Sequence, residues 1–262
     1  MNTSYKKGLF SSEKAPLPFS KSPNLPLNGN HLKLIACITM VMDHGAKALA
    51  LRGFWFQLLS NILGRIAFPL FGFLLIEGFF HTHSRLAYAR NVLVLALVSE
   101  VPFDLVHTGK ILEFSHQNTC FTLFLALVLF LLLEKLETLW NGGRLRMQPL
   151  LLKWILQVGL TALFLLLACL LRVDYDLYGL GALAVIYFLY YTSYASCALL
   201  FNCLILNLNS FCEPAAFLAL LPGMLYNGKR GRKKIGPVSV KALFYWFYPL
   251  HLLLLYGLSC LL

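Results

Sequence analysis

Apolar residues along this chain come in long blocks rather than on one face or at alternate positions. Leu123–Leu133 and Leu160–Leu171 are almost unbroken. Helical runs of this kind cross about 30 Å of hydrocarbon at about 1.5 Å per residue, and they lack the period-two alternation of barrel strands. The pattern predicts an all-α, polytopic transmembrane bundle of about nine spans, at roughly 32–50, 58–80, 87–107, 118–136, 150–171, 177–192, 194–210, 213–227 and 241–261. The three spans after Tyr175 are short and poorly separated, and Asn202, Asn207 and Asn209 interrupt the seventh, so the expectation is seven to nine. Residues 1–31 are polar, rich in Lys, Ser, Pro and Asn, and have no apolar centre; they read as a disordered basic cytoplasmic tail rather than a cleavable signal. Residues 32–262 form the transmembrane domain.

Composition agrees: 59% of the 262 residues are hydrophobic and 13% charged, more apolar matter than a soluble domain can hide. The net charge of +11 falls mainly in loops, with no aromatic-basic interleaving or nucleic-acid motif, so it points to membrane orientation and not to nucleic acid. Lys6, Lys7, Lys14 and Lys21 in the tail, Arg85 and Arg90, Lys135, Arg144, Arg146 and Lys153, and Lys229, Arg230, Arg232, Lys233 and Lys234 then lie inside, while Arg52, Lys110 and Arg172 are the few cations outside. This places the N-terminus in the cytoplasm and, with nine spans, the C-terminus outside. The 7 cysteines show no CxxC spacing and read as small buried hydrophobes, although Cys120, Cys169, Cys212 and Cys260 fall near outer helix ends where a disulfide could form.

Ionisable residues within spans are expensive in hydrocarbon and are therefore candidates for function. Lys33 and His44 lie eleven residues apart, about three helical turns, on one stripe with Cys37, Met40 and Lys47. Asp43 precedes His44 and either tunes it or bonds elsewhere. Arg65 is about two turns into the second span, where Pro69 frees a carbonyl beside it; a structural ion pair and an anion-binding role are both open for it. Glu77 lies near the inner end of that span. Glu100 and Asp104 share a face of the third span, with Pro102 between them, and His116, Gln117 and Asn118 open the fourth. His251 sits near midplane in the last span and needs a partner. His44, Arg65, Glu100, Asp104 and His116–Asn118 share the outer third of the membrane, a set suited to general base catalysis with oxyanion stabilisation or to a proton relay in a transporter. No metal site is expected: His81 and His83 do not share a helix face, and HExxH, Gly-x-Ser-x-Gly, Walker and dinucleotide motifs are lacking.

These stretches resemble the TraX family of bacterial membrane proteins. The matching segments are LKLIACITMVMDH (Leu32–His44), GRIAFPLFGFLLIEGFFHT (Gly64–Thr82), SEVPFD (Ser99–Asp104), QNTCFT (Gln117–Thr122), Asp176–Tyr178 and FYWFYPLHLLLLY (Phe244–Tyr256); Leu123–Asp174 matches only in hydrophobic character. The resemblance implies an acetyl-CoA-dependent N- or O-acetyltransferase of the bacterial inner membrane. Its implied acceptor is the N-terminus of a pilin subunit in conjugative pilus biogenesis. The first span is also similar to that of integral-membrane acyltransferases acting on surface polysaccharides, where a basic residue, ten residues and a histidine recur; Lys33 and His44 fit that spacing with Lys in place of the commoner Arg. On this reading His44 is the general base, oriented by Asp43 or Glu100, and Arg65 or Asn118 stabilises the oxyanion. Lys33, Arg85 and Arg90 meet the phosphates of acetyl-CoA. A polysaccharide, lipid or other small acceptor, or a non-enzymatic transporter or assembly role, are the competing expectations.

Overall fold

The computed structural model describes residues 24–49, 53–142, 149–190, 192, 194, 197–209 and 213–261. The expected tail up to residue 23 and the loop cations Arg52, Arg144 and Arg146 lie outside the described residues. The fold is all-α: α1 (Gly29–Ala48), α2 (Phe54–Gly64), α3 (Ala67–His81), α4 (Arg85–Thr108), α5 (Thr119–Asn141), α6 (Leu150–Leu170), α7 (Asp176–Leu189), α8 (Ala198–Leu206), a 3-10 turn (Glu213–Ala219), α9 (Leu220–Met224) and α10 (Val240–Ser259). A two-stranded ribbon, Lys234–Ile235 with Val238–Ser239, leads into α10.

Local chemistry sets the helix ends. The Asn28 side chain accepts from the backbone N–H groups of Asn30 (3.0 Å) and His31 (3.2 Å), starting α1 three residues ahead of the expected boundary at 32. Ser84 caps α4 in the same way, accepting from the Ala87 N–H at 3.3 Å, and Gly109 (φ +70°) ends it in the left-handed region. Pro102 sits inside the unbroken α4. The expected second span is two helices, α2 and α3, separated at Arg65–Ile66. Pro69 has no N–H to give the Arg65 carbonyl, so the chain tightens there, with the Ile66 N–H on the Leu63 carbonyl at 3.1 Å.

Among the described residues, four stretches are long and apolar enough to cross a membrane: Phe54–His81, Thr119–Asn141, Leu150–Leu170 and Val240–Ser259. α1 and α4 are as long but less apolar, because they carry Lys33, Asp43, His44 and Lys47, and Glu100, Asp104 and His107. α6 is the peripheral helix, with only 17% of its span buried in protein; Trp154, Ile155, Val158 and Leu166 face outward, while Lys153 and Gln157 turn inward onto Glu137 at 2.8 and 2.7 Å. The main core gathers α3, α5 and α7 around Phe73, Phe79 and Phe130, which are fully buried.

The expected seventh and eighth spans are short. α8 has 9 residues, about 14 Å of helix and well below the hydrocarbon thickness. It folds back against the 3-10 turn, where the Cys203 thiol donates to the Ala216 carbonyl at 3.3 Å. Both flanks of this hairpin return to one level, since Tyr190 donates to Glu77 at 3.0 Å and Tyr226 also bonds Glu77.

α1 and α10 run parallel. At their starts Asn30 Nδ2 donates to the Arg232 carbonyl at 2.7 Å, and farther along His44 meets His251 at 3.0 Å. The chain before α1 is stitched to the loop before α10 by Leu27 N–H to Leu225 O (3.1 Å), Asn227 N–H to Leu27 O (2.8 Å) and Gly29 N–H to Lys229 O (2.8 Å).

Candidate functional site

The stripe Cys37, Met40, His44 and Lys47 of α1 forms one wall of a cavity of about 350 Å³. Arg65, Phe68 and Phe71 from the α2–α3 segment, Phe103 and His107 from α4, Thr119 and Cys120 from α5, and Phe244, Phe247 and Tyr248 from α10 complete it, with His116, Asp174 and Tyr175 at its loop end. Close approach of α2 to α1 requires Gly64: a Cβ there would stand 2.5 Å from the Asp43 Cβ.

Two histidines meet beside this cavity. His251 Nδ1 lies 3.0 Å from the Phe247 carbonyl, and His251 Nε2 lies 3.0 Å from His44 Nδ1, the rings nearly parallel with centroids 5.3 Å apart. A carbonyl only accepts, so neutral His251 must carry its proton on Nδ1. Its Nε2 is then a lone pair and accepts the His44 Nδ1 proton. His44 is left with an unprotonated Nε2, the form a general base needs.

Other expected members occupy different places. Asp43 pairs with Lys47 at 2.7 Å and leaves Oδ1 buried without a hydrogen bond. Glu100 does not orient His44; it accepts from the side chain and backbone N–H of Asn118, while Asn118 Nδ2 also donates to the Ala96 carbonyl at 2.9 Å. Asn118 is the N-cap of α5, accepting from the Cys120 N–H at 2.9 Å, so it is a bracket between α4 and α5 and does not line the cavity. Asp104 accepts from the Glu113 N–H at 2.8 Å and orders the loop after α4. Arg65 stands at the cavity wall, its Nη1 3.5 Å from the Tyr175 hydroxyl. Glu77 is buried at the far end of α3 with Tyr190 and Tyr226. Arg85 is locked onto Glu134 and the Phe79 carbonyl, and Arg90 is exposed on α4; neither lines this cavity.

His116 reaches Asp174 at 3.4 Å, and Thr119 also donates to Asp174. The hydrogen bond to Asp174, reinforced by its charge, raises the His116 pKa against the effect of burial. Burial pushes the Asp174 carboxyl up, but the bonds from His116 and Thr119 outweigh it and hold Asp174 below the usual carboxylate range. Gln117 pairs its backbone with this segment, N–H to Arg172 O at 2.9 Å and O to Asp174 N–H at 3.1 Å. Arg172, Tyr175 and Asp176 all have positive φ, a cluster of left-handed non-glycine residues held by these bonds at the cavity mouth.

His107, Asp174 and Tyr175 are site residues that the sequence reading passed over. His107 donates from Nδ1 to the Phe103 carbonyl at 2.9 Å and presents its ring edge to His44, centroids 5.9 Å apart. Its signal was position: it follows Asp104 by three residues and Glu100 by seven, on the face already singled out. Among the described residues no group of three or more His, Cys, Asp or Glu is arranged to hold a metal. Cys120, Cys169 and Cys260 are free thiols, so no disulfide joins them; Cys212 lies outside the described residues.

A second cavity, of about 550 Å³, opens at the starts of α1 and α10. Asn28, Asn30, His31 and Arg232 line it, and Cys37, Phe244 and Phe247 are walls common to both cavities.

No solved structure matches the chain. It is 26% identical over 257 residues to the probable fimbrial assembly protein FimC, serogroup H1, of Dichelobacter nodosus, an alignment covering 89% of this chain and 96% of that protein. Residues 28–259, which include every wall of both cavities, match the TraX protein family, and the chain belongs to that family.

Proposed function

We propose that this protein is an acetyltransferase of the bacterial inner membrane that moves an acetyl group from acetyl-CoA to the N-terminus of a pilin subunit. The observation that carries the reading is the bond chain from the Phe247 carbonyl through His251 to His44, which leaves the His44 Nε2 lone pair beside a cavity. Acetyl-CoA supplies an acyl thioester activated for attack by an amine or hydroxyl. His44 takes the proton of the acceptor amine as its nitrogen bonds to the acetyl carbonyl carbon. It returns that proton to the departing sulfur as the carbon–sulfur bond breaks, so the imidazole ends neutral. Arg65, at the same cavity wall, offsets the negative charge gathering on the carbonyl oxygen. Asn118, engaged by Glu100 and Ala96, has no part in that step.

The residues present suit a long anionic donor. The two cavities share walls, and from Asn30 to His44 α1 rises about 21 Å. A donor lying along α1 would reach the base with its thioester while its charged half stayed at the basic end. That end faces the cytoplasm under the positive-inside rule, and the His44 end faces outward, where an exported subunit's N-terminus lies. The fimbrial assembly designation of the relative supports a pilus component as acceptor.

The test is His44→Ala in purified full-length protein, assayed by mass spectrometry of a pilin acceptor. Acetyl transfer should fall on the order of 10²–10⁴-fold with membrane insertion unchanged. Undiminished transfer by the variant would rule out His44 as the base. Wild-type protein that neither binds acetyl-CoA nor transfers acetyl would favour a transporter or assembly role.

A further inference from the structure

Lys33, Arg85 and Arg90 are the cations expected to meet the donor's phosphates, yet Arg85 is spent on Glu134, and Arg90 is exposed on α4 and lines neither cavity. The structure gathers a different set. Lys33, Lys229, Arg230, Arg232, Lys233, Lys234 and Lys241 cluster where α1 begins and where the ribbon enters α10. Arg230 and Lys241 stand close enough to Lys33 to repel it. Among the described residues, no ion pair joins any of these cations to a carboxylate.

The positive-inside rule accounts for the sign of this loop but not for its shape. A solvated topogenic loop needs no fixed fold. This one is tied down by Gly29 N–H to Lys229 O (2.8 Å), Asn30 Nδ2 to Arg232 O (2.7 Å) and Val240 N–H to Lys233 O (3.1 Å). Gly231 holds φ +89° where a Cβ would meet the Asn28 Oδ1 at 2.6 Å, so the loop is fitted against the cap of α1. Beside it lies the cavity of about 550 Å³, lined by Arg232, Asn28, Asn30 and His31 at its polar rim and by Phe244 and Phe247 deeper in. A fixed cluster of unneutralised cations repels itself, and a multiply charged anion relieves that repulsion.

We propose that this basal cavity binds the phosphorylated nucleotide half of the acyl donor, gripped by Arg232 at its rim with the charges of Arg230 and Lys33 beside it, and with Phe244 and Phe247 guiding the acyl arm towards His44. The inference rests on the acetyltransferase reading. An anionic phospholipid headgroup offers the same phosphate chemistry, and the experiment separates the two sources.

Full-length protein in uncharged detergent is titrated with adenosine 3′,5′-bisphosphate and with acetyl-CoA by calorimetry. Arg230→Ser/Arg232→Ser should weaken both by tenfold or more, and 0.5 M salt should weaken them in wild type. His44→Ala and Arg90→Ala should bind as wild type does. Acetyl-CoA binding unchanged in the double variant would overturn the inference while leaving the acetyltransferase reading intact. No acetyl-CoA binding by wild type would remove both. Nanodiscs with and without phosphatidylglycerol form the second arm: bisphosphate affinity should be equal in the two, and loss of binding in the anionic discs would assign the cavity to lipid.

Discussion

At the scale of single residues, the orientation of His44 depends on His251, 207 positions away in sequence. Replacing His251 by Leu leaves the His44 Nδ1 proton without its acceptor, at about 1–3 kcal/mol for a buried donor, and frees the ring to adopt the wrong tautomer. We expect His251→Leu to lower kcat on the order of 10²-fold with acetyl-CoA binding unchanged. His251→Gln, which can place an amide oxygen near the vanished Nε2, should recover part of the loss. Equal loss of donor binding in both variants would mean that His251 holds the helices together and does not set the tautomer. Helical periodicity places Lys33, Cys37, Met40, His44 and Lys47 on one stripe, and all but Lys33 line the cavity. The pairing of His44 with His251 is not legible in this way, because it depends on the relative depth of α1 and α10, which no local pattern encodes.

Among elements, the α4–α5 loop and the α6–α7 turn are clamped by His116 and Asp174. With a raised pKa, His116 contributes fully below the usual histidine value of about 6.5 and loses its contribution as pH rises through the raised value. With a depressed pKa, Asp174 contributes above the usual value of about 3.9 and loses it as pH falls through the depressed one. The clamp is therefore fullest between about pH 4 and pH 6.5 and fades on the alkaline side. His116→Asn should lower Tm most near pH 5–6, by about 0.5 kcal/mol of stability because His116 is half exposed and screened, and the gap to wild type should close in alkaline buffer. A gap independent of pH would show that the ion pair contributes nothing. The sequence reading grouped Glu100 and Asn118 with the chemistry because both are polar at the right depth. Side-chain direction decides otherwise: Glu100 Oε2 accepts from Asn118, and Asn118 caps the first turn of α5.

For the whole molecule, apolar blocks made the helical bundle legible from the start, and the long helices fall where those blocks do. The segments 194–210 and 213–227 read as two spans because hydropathy measures apolarity and not path. Tyr190 and Tyr226 both return to Glu77, and buried Asn202, Leu206 and Ala216 pack within the hairpin, so we propose seven crossings plus one re-entrant hairpin. Leu208→Cys, on a background with the native cysteines replaced, should resist a membrane-impermeant maleimide added from outside. Labelling from outside would restore nine spans.

The pairing of α1 with α10 has a consequence for the order of synthesis. The first helix made supplies His44, but its partner histidine, the aromatic wall and the cationic loop all belong to the last sixth of the chain. An unfinished polypeptide thus holds His44 with neither its tautomer fixed nor either cavity enclosed. The two cavities close only once the final helix has inserted, so competence arrives as a single late event rather than accumulating as the bundle grows.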